Sequence, residues 1–267
     1  MSTYLSWNQK IISDFSDQNI NNLYHQGYVF TRTGKGEMYQ TRSLRIDLHL
    51  FKESSENRRI LKKTEEIILS TEPIPYPLYD WTVGKLGKDF YTTKFGDGTF
   101  SANKIKELIT DEEKTNFNKL FVYSVIARSD AGATKQSPEL QNQLIKQTTS
   151  EKMGIATSAR SSPPRNDTGK IGYCIASETS ELVHYCYPFY ELQPTSYQLP
   201  ANLGLGMMLK AILYAKEQGK KYVYLGSAQR PSDTYKLQFS GLEWFDGKTW
   251  KQDLDELKNI LNEYARR

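Results

Sequence analysis

The region from residue 170 to residue 227 constrains the fold of this chain most strongly. Its first part, KIGYCIASETSELVHYCYPF, holds two short apolar segments around a Ser/Glu/Thr turn, which is typical of a β-hairpin. After a loop with two glycines, the spacing of Met207, Ala211 and Ala215 marks an amphipathic helix, with Gly219 as its C-cap. The apolar stretch YVYLG then predicts a further strand, so the region as a whole predicts an α+β fold.

This order of hairpin, glycine loop, helix and strand resembles the core of the GNAT acyltransferases. The resemblance implies a GNAT-like mixed sheet flanked by helices, with a loop and helix N-terminus that hold the phosphates of acyl-coenzyme A. In the matching stretch ANLGLG, Gly204 and Gly206 fit the family pattern Gln/Arg-x-x-Gly-x-Gly/Ala, whereas Ala201 replaces its leading residue. Short glycine motifs also occur in tight strand-to-helix turns, so both interpretations stay open.

Residues 44 to 67 change their period halfway along the segment. Apolar and polar residues alternate up to Phe51, as in a half-buried strand, and then follow a helical period. Ser54 or Ser55 is placed to cap the helix, which we expect to end near Ser70.

The polar face of this helix carries four cations. They form two like-charge pairs with a spacing of four residues, Arg58 with Lys62 and Arg59 with Lys63. Each such pair costs about 0.2–0.5 kcal/mol. The face is interpreted either as an ordinary solvated surface or as a site for a polyanion such as a nucleic-acid backbone.

The composition limits the classes of protein to which this chain can belong. The 267 residues carry a net charge of +4, and much of the positive charge falls in residues 32 to 63, which permits nucleic-acid binding. Cys174 and Cys186 lack CxxC spacing, and the histidines are scattered, so no metal site is predicted. No signal peptide or long apolar run is visible, which predicts a cytoplasmic protein without a membrane span.

Two GNAT-like halves are predicted, residues 1–115 with the basic helix and residues 116–267 with the transferase site. The first half also holds a hairpin that turns at Gly34 to Gly36, a segment at 81–95 that is either helix or loop, and a helix at 101–109. In the second half, KLFVYSVIAR predicts a buried strand, and residues 129–168 are a long polar stretch interpreted as a flexible insertion.

Five segments, in order, resemble the aminoacyl-tRNA–protein transferases, the family of arginyltransferases and bacterial aspartate/glutamate leucyltransferases. They are LYHQGYVFTRTGKGEMY, LRIDLHLFKESSENRRILKK, FYTTKFGDGTFSANKIKELI, LPANLGLGMMLKAILYAKEQGKKYVYLGS and YKLQFSGLEWFDGKTW. The resemblance implies transfer of an amino acid of the arginine or leucine class from charged tRNA to the N-terminal amine of an acceptor protein. No cofactor beyond the aminoacyl-tRNA donor is expected.

The chain departs from that family at two of its motifs, and its stretch at 129–168 is longer than the resemblance leads us to expect. The family's clustered cysteines are absent from the N-terminal part, and Tyr187 precedes Pro188 where the family has an aspartate, so no role is carried over for that aspartate.

The resemblance implies roles for particular residues of this chain. Catalytic roles are predicted for Tyr185, Tyr187 and Lys236. Substrate contacts are predicted for Arg42, Arg45, Arg58, Arg59, Lys62, Gly204, Gly206 and Tyr235. Two other functions remain open, namely a GNAT-type N-acyltransferase that uses acyl-coenzyme A and a non-catalytic module that binds RNA or protein. The oligomeric state is not predicted.

Overall fold

The computed structural model describes residues 5–126, 168–192 and 199–264. Almost all of the insertion predicted at 129–168 lies outside the described residues, and only Thr168 of that stretch belongs to a described strand. Residues 5–125, 170–192 and 199–264 lie within one compact unit.

The described part of the chain contains eleven strands, six α-helices and one 3₁₀ helix. The strands are β1 Asn8–Ile11, β2 Tyr28–Phe30, β3 Glu37–Gln40, β4 Ser43–Asp47, β5 Ile67–Pro73, β6 Lys119–Ile126, β7 Thr168–Glu178, β8 Leu182–Tyr190, β9 Tyr222–Ser227, β10 Leu242–Phe245 and β11 Trp250–Lys251. The α-helices are α1 Asp17–His25, α2 Ser55–Lys63, α3 Trp81–Phe95, α4 Ala102–Thr110, α5 Leu203–Glu217 and α6 Leu254–Tyr264, and the 3₁₀ helix is Pro231–Gln238.

Eight of these strands form one mixed sheet in the order β11-β10-β4-β9-β8-β7-β6-β5, and β1, β3 and β2 form a smaller sheet. In the large sheet β8 and β9 run parallel, whereas β7 and β8, β4 and β9, and β4 and β10 pair antiparallel. Parallel neighbours need a crossover connection, which α5 supplies between β8 and β9. The hairpin, helix and parallel strand therefore have the order that the sequence predicted.

Helices cover both faces of the large sheet. One core contains Ile60 of α2, Ile212 of α5 and Leu257 of α6. The other contains Ile20 of α1 and Val83 of α3, together with residues of α4 and of the small sheet. An α+β fold with a mixed sheet flanked by helices was predicted from the sequence, and the structure confirms it.

The N-terminus of α2 agrees with the prediction, whereas its end does not. Ser54 is the N-cap and forms a capping box with Asn57, but the helix stops at Lys63 rather than near Ser70. Ile67 begins β5 instead, where it pairs with Val125 of β6. The expected end was wrong because pairing with a distant strand overrides the helical period that continues past Lys63.

Other local expectations hold. The ambiguous segment at 81–95 is the helix α3, capped by Asp80, and the helix expected at 101–109 is α4, capped by Ser101. β2 and β3 form an antiparallel pair on either side of the predicted turn. Among the described residues, no helix is both long and apolar enough to cross a membrane.

Candidate active site

A cavity opens where the two parallel strands separate. β8 and β9 pair only from Leu182 with Tyr222 to His184 with Tyr224. Beyond these residues β8 continues to Tyr190 and β9 to Ser227. A cavity of about 790 Å³ lies there, between the diverging strands, the start of α5 and the 3₁₀ helix. Ligands of sheet-based folds bind in crevices where neighbouring strands part, so this cavity is the candidate active site.

The cavity wall combines an apolar part with a few polar side chains. The apolar part includes Phe30, Phe90, Tyr91, Leu203 and Met208. The polar and ionisable groups include His184, Tyr187, Glu191, Asp233, Tyr235 and Lys236. Such a wall can enclose an apolar or aromatic group and orient it through a small number of hydrogen bonds.

A β-bulge in β8 decides which tyrosine reaches this cavity. Ala176 of β7 is opposite Tyr185, but the preceding Ile175 is opposite Tyr187, so Cys186 is an extra residue in β8. Side chains two apart in a regular strand share a face, and the bulge breaks that rule. Tyr185 and Tyr187 consequently lie on opposite faces of the sheet.

Tyr187 lines the cavity, as its predicted catalytic role requires. Its ring meets the rings of Phe100 and Phe117 edge-on, with centroid distances of 5.5 Å in both cases. The guanidinium of Arg32 lies 5.9 Å from the centroid of the same ring. These contacts on several sides fix the position of the ring at the cavity wall.

Tyr185 is placed elsewhere, in the core between the sheet and α5. It is 2% exposed and does not line the cavity. Its hydroxyl is fully buried, and burial, with the nearby hydroxyl of Tyr123, raises its pKa well above the usual value. The structure therefore separates the two tyrosines to which the sequence assigned one function.

Lys236 and Tyr235, on the 3₁₀ helix, both line the cavity. The ammonium of Lys236 donates to the backbone oxygen of Ser227 at 3.0 Å and lies 3.5 Å from a carboxylate oxygen of Asp233. Asp233 also accepts hydrogen bonds from the backbone amides of Gln229 and Arg230. The lysine side chain is only 12% exposed, so its charge is held at the wall rather than in bulk solvent.

His184 lines the cavity and is the last residue of β8 that pairs with β9. Its Nδ1 lies 2.8 Å from the hydroxyl of Tyr24, which also accepts a hydrogen bond from the backbone amide of Phe30 at 3.4 Å. Burial and the charge of Lys236 lower the pKa of His184 to about 3, so the ring is neutral at pH 7.

The tautomer of this neutral ring follows from its hydrogen bonds. The hydroxyl of Tyr24 is buried, and its hydrogen needs an acceptor. Among the described residues, Nδ1 of His184 is the atom placed to accept it. A buried hydroxyl without an acceptor costs about 1–3 kcal/mol. Tyr24 therefore donates to Nδ1, and the ring carries its hydrogen on Nε2.

The two glycines of the loop motif differ in their surroundings. Gly204 lines the cavity, and a Cβ there would lie 2.7 Å from the hydroxyl of Tyr190. Gly206 lies away from the cavity lining, and a Cβ there would lie 2.5 Å from Cγ2 of Thr64, the C-cap of α2. Packing between α2 and α5 accounts for Gly206, whereas Gly204 is placed where a ligand could approach.

The two predicted arginines of the β4 region are buried and outside the cavity lining. Nη1 of Arg42 donates to the backbone oxygen of Ala228 at 3.3 Å. Nε of Arg45 donates to a carboxylate oxygen of Glu243 at 2.7 Å, and its guanidinium carbon lies 3.9 Å from the ring centroid of Trp250. These contacts give Arg45 a structural role that joins β4 to β10 and β11.

The predicted cations of α2 remain on the surface. Arg58, Arg59 and Lys62 are exposed and lie outside the cavity lining. Arg59 donates to both carboxylate oxygens of Glu56, at 2.6 Å and 2.5 Å, and Arg58 donates to the backbone oxygen of Glu53. Their predicted contact with phosphate stays a prediction.

Of the predicted residues, Tyr187, Gly204, Tyr235 and Lys236 are thus brought together, and the others are not. Sequence reasoning missed His184, which was set aside because it lacks metal-ligand spacing. The signal it overlooked was the position of His184 in the apolar strand that precedes the glycine loop. Within the described ranges, no three His, Cys, Asp or Glu residues are grouped so as to hold a metal ion.

No protein-family model and no curated protein matches the chain. Among solved structures it is similar to L-PGS from Bacillus licheniformis, with a TM-score of 0.41, 12% identity, and coverage of 79% of this chain and 52% of that one. FemX gives a TM-score of 0.40 and 14% identity, with 79% of this chain and 59% of that one covered.

A third solved structure is a C-terminal DUF2156 domain from Agrobacterium fabrum, from a protein assigned as a lysylphosphatidylglycerol synthetase. Its TM-score is 0.36 at 11% identity, with 94% of this chain and 70% of that one covered. The chain spans little more than half the length of L-PGS or FemX.

Proposed function

We propose that the chain is an aminoacyltransferase that moves an amino acid from an activated ester to an amine within this cavity. The observation that carries the proposal is the cavity between the separating strands β8 and β9, which brings Tyr187, Tyr235 and Lys236 together with an apolar wall. The strand edges freed by the separation offer backbone groups to a bound acyl chain, and the apolar wall excludes water from the reacting ester.

The chemistry needs few groups because the ester is already activated. The amine attacks the carbonyl carbon, the bond from this carbon to the ester oxygen breaks, and a proton passes from the amine to the departing hydroxyl. Lys236 stabilises the negative charge that develops on the oxygens, and Tyr187 relays the proton. A covalent enzyme intermediate is not required.

Charged tRNA as donor and a protein N-terminus as acceptor are the finer parts of the proposal. They rest on the family resemblance of the sequence and on the exposed cations of α2, namely Arg58, Arg59 and Lys62. The wall holds aromatic and aliphatic side chains together with the carboxylates of Glu191 and Asp233, so an amino acid of either the leucine class or the arginine class fits it.

An acyl-coenzyme A donor is the second candidate, and one observation favours it. The first turn of α5, from Asn202 to Leu205, lines the cavity, and helix N-termini attract phosphate groups. Against this donor, Ala201 replaces the residue with which the family begins its phosphate loop.

The deciding experiment is a transfer assay. The purified protein is mixed with tRNA charged with radiolabelled amino acids and with peptides that differ in their N-terminal residue. Label on a peptide supports the proposal and identifies donor and acceptor together. If the label stays on tRNA and the protein instead transfers the acetyl group of acetyl-coenzyme A, the second candidate replaces the proposal.

The tRNA contact is tested at α2. Replacing Arg58 and Arg59 with alanine should weaken binding of charged tRNA and reduce its salt slope by about 0.7–0.9 for each lost phosphate contact. The matched control replaces Lys85 and Lys88, two exposed lysines of α3, and should leave the slope unchanged. Equal binding by the Arg58/Arg59 variant and wild type at several salt concentrations would remove α2 from the proposal.

A further inference from the structure

We propose that His184 donates a hydrogen bond from Nε2 to the carbonyl oxygen of the acyl group under attack, and that Tyr24 is the positioning residue that fixes this tautomer. The inference rests on the proposed acyl transfer and names a group of the cavity for which no role was predicted. Its starting point is placement, because His184 is the last residue of β8 paired with β9 and lines the cavity that opens beyond it.

The contacts of the ring leave one nitrogen for a ligand. Nδ1 is occupied by the hydroxyl of Tyr24 at 2.8 Å, and no hydrogen bond to Nε2 is made by the described residues. Tyr24 is itself fully buried and held edge-on by Tyr224, with ring centroids 4.8 Å apart. Because packing holds Tyr24 in place, the His184 ring that it orients needs no reorganisation when negative charge develops beside Nε2.

The ring donates without being charged. The titratable groups around it are Tyr24 on α1, Tyr224 on β9, Lys236 on the 3₁₀ helix and Cys186 on β8 itself. Burial and, after it, the lysine cation oppose a positive charge on the ring, and they lower its pKa to about 3. The ring is therefore a neutral imidazole at pH 7, with an N–H on Nε2 to donate.

This assignment divides the work of the cavity between two groups. Attack by the amine turns the carbonyl oxygen into an oxyanion, and a fixed N–H donor stabilises the oxyanion more than it stabilises the neutral carbonyl. His184 supplies that donor and keeps its proton throughout, while Lys236 supplies a full charge. The amine's own proton leaves by a separate route, so the atoms of the reaction balance without a proton from His184.

The first test needs no change to His184. Protein labelled with ¹⁵N-histidine is examined by NMR from pH 5 to pH 8, and the variants His25→Gln and His49→Gln assign the other two histidines. We expect hydrogen on Nε2, a bare Nδ1 and no titration for His184, and we expect mixed tautomers in Tyr24→Phe. Hydrogen on Nδ1 in the wild type, or protonation of the ring within this range, would overturn the assignment.

The second test connects the ring to the acyl group. The probe is 3′-leucylamido-3′-deoxyadenosine, an uncleavable analogue of the end of a charged tRNA, and its binding should shift the Nε2–H resonance of His184. Binding without such a shift would contradict the inference while sparing the proposed function. Failure of this probe to bind, together with absent transfer, would instead count against the proposed function, and the tautomer would still be known.

Kinetics separate the two ring nitrogens. His184→Gln places an amide N–H near the position of Nε2, whereas His184→Asn places it near that of Nδ1. We expect kcat to fall by about 10²–10³-fold in His184→Asn and clearly less in His184→Gln, the range seen when one oxyanion donor is removed. Equal losses in two folded variants would show that His184 is needed for packing alone.

Discussion

At the scale of single residues, Lys236 gives the first prediction. Its ammonium is held at the cavity wall by the backbone oxygen of Ser227 and the carboxylate of Asp233. Lys236→Ala should therefore lower kcat by about 10²-fold with little effect on folding, because a charge aimed at the transition state is lost. Lys248→Ala, which removes an exposed lysine, is the control in the same transfer assay. Wild-type turnover in a folded Lys236→Ala protein would exclude the role.

The lowered pKa of His184 predicts how the free energy of unfolding depends on pH. Its pKa is about 3 in the folded protein, against a usual value of 6.5, so the unfolded chain binds the proton more readily between these values. The contribution of His184 to the free energy of unfolding is therefore complete above about pH 6.5. It is lost as the pH falls toward 3, by up to about 1.4 kcal/mol per pH unit.

Urea unfolding of wild type, His184→Gln and the exposed control His49→Gln between pH 7 and pH 4 measures this effect. The free energy of unfolding should fall more steeply in wild type and His49→Gln than in His184→Gln. Parallel slopes in all three proteins would mean that His184 gains a proton in the folded state.

Single residues also show where sequence reasoning stops. Lys236 and Tyr187 were predicted and do line the cavity, because Lys236 belongs to the stretch YKLQF that the sequence singled out and Tyr187 to the strand before the glycine loop. Tyr185 has the same residue type and almost the same position, yet the bulge at Cys186 directs it into the opposite core. A bulge is a property of strand pairing, and no local pattern around Cys186 indicates it.

At the scale of elements, local signals were enough to find most helices and strands. Caps such as Ser54 and Ser101 mark the starts of α2 and α4, since a side-chain oxygen there satisfies a free backbone amide. The end of α2 was missed because Ile67 fits the helical stripe as well as it fits β5. Only its partner strand β6, more than fifty residues away, decides between the two.

The contact between α2 and α5 gives a prediction about Gly206. A methyl group at this position would overlap Thr64, with Cγ2 and Oγ1 at 2.5 Å and 2.6 Å from the new Cβ. Gly206→Ala should therefore lower the free energy of unfolding by about 1–3 kcal/mol through overpacking. Thr64→Gly in the same chain should restore part of the loss, as measured by urea unfolding.

The same pair of variants tests whether Gly206 has a role in binding. If Gly206 acts only in packing, the rescued double variant should bind charged tRNA as wild type does, at temperatures where both proteins are folded. Loss of binding in a stable double variant would instead return Gly206 to the substrate site, as the sequence first suggested.

At the scale of the whole molecule, the order of strands is the feature that the sequence did not reveal. β4 lies between β9 and β10, so a strand of the first half completes the sheet of the second. The hairpin-helix-strand order near the cavity was predictable because its parts are adjacent in the chain. The place of β4 depends on contacts across about 180 residues, for which a single sequence contains no periodic signal.

This topology makes the predicted division into residues 1–115 and 116–267 testable. In the sheet register, Ser43–Asp47 pairs with β9, and Leu44, Arg45 and Ile46 pair with β10, in the buried middle of the sheet. Separate expression of the two ranges would expose these strand edges, and each buried backbone group left unpaired costs about 1–3 kcal/mol. We expect neither range to unfold cooperatively alone.

Coexpression of the two ranges should restore a complex with cooperative urea unfolding, because the pairing of β4 with β9 and β10 needs no covalent link. Tryptophan fluorescence reports on both ranges, since Trp81 lies in the first and Trp244 in the second. Cooperative unfolding of 116–267 by itself would mean that the second half is an independent domain, to which β4 adds only an edge contact. Recovery of transfer activity only in the complex would show that the first range completes the cavity, since Phe30, Phe90 and Tyr91 of that range lie in its wall.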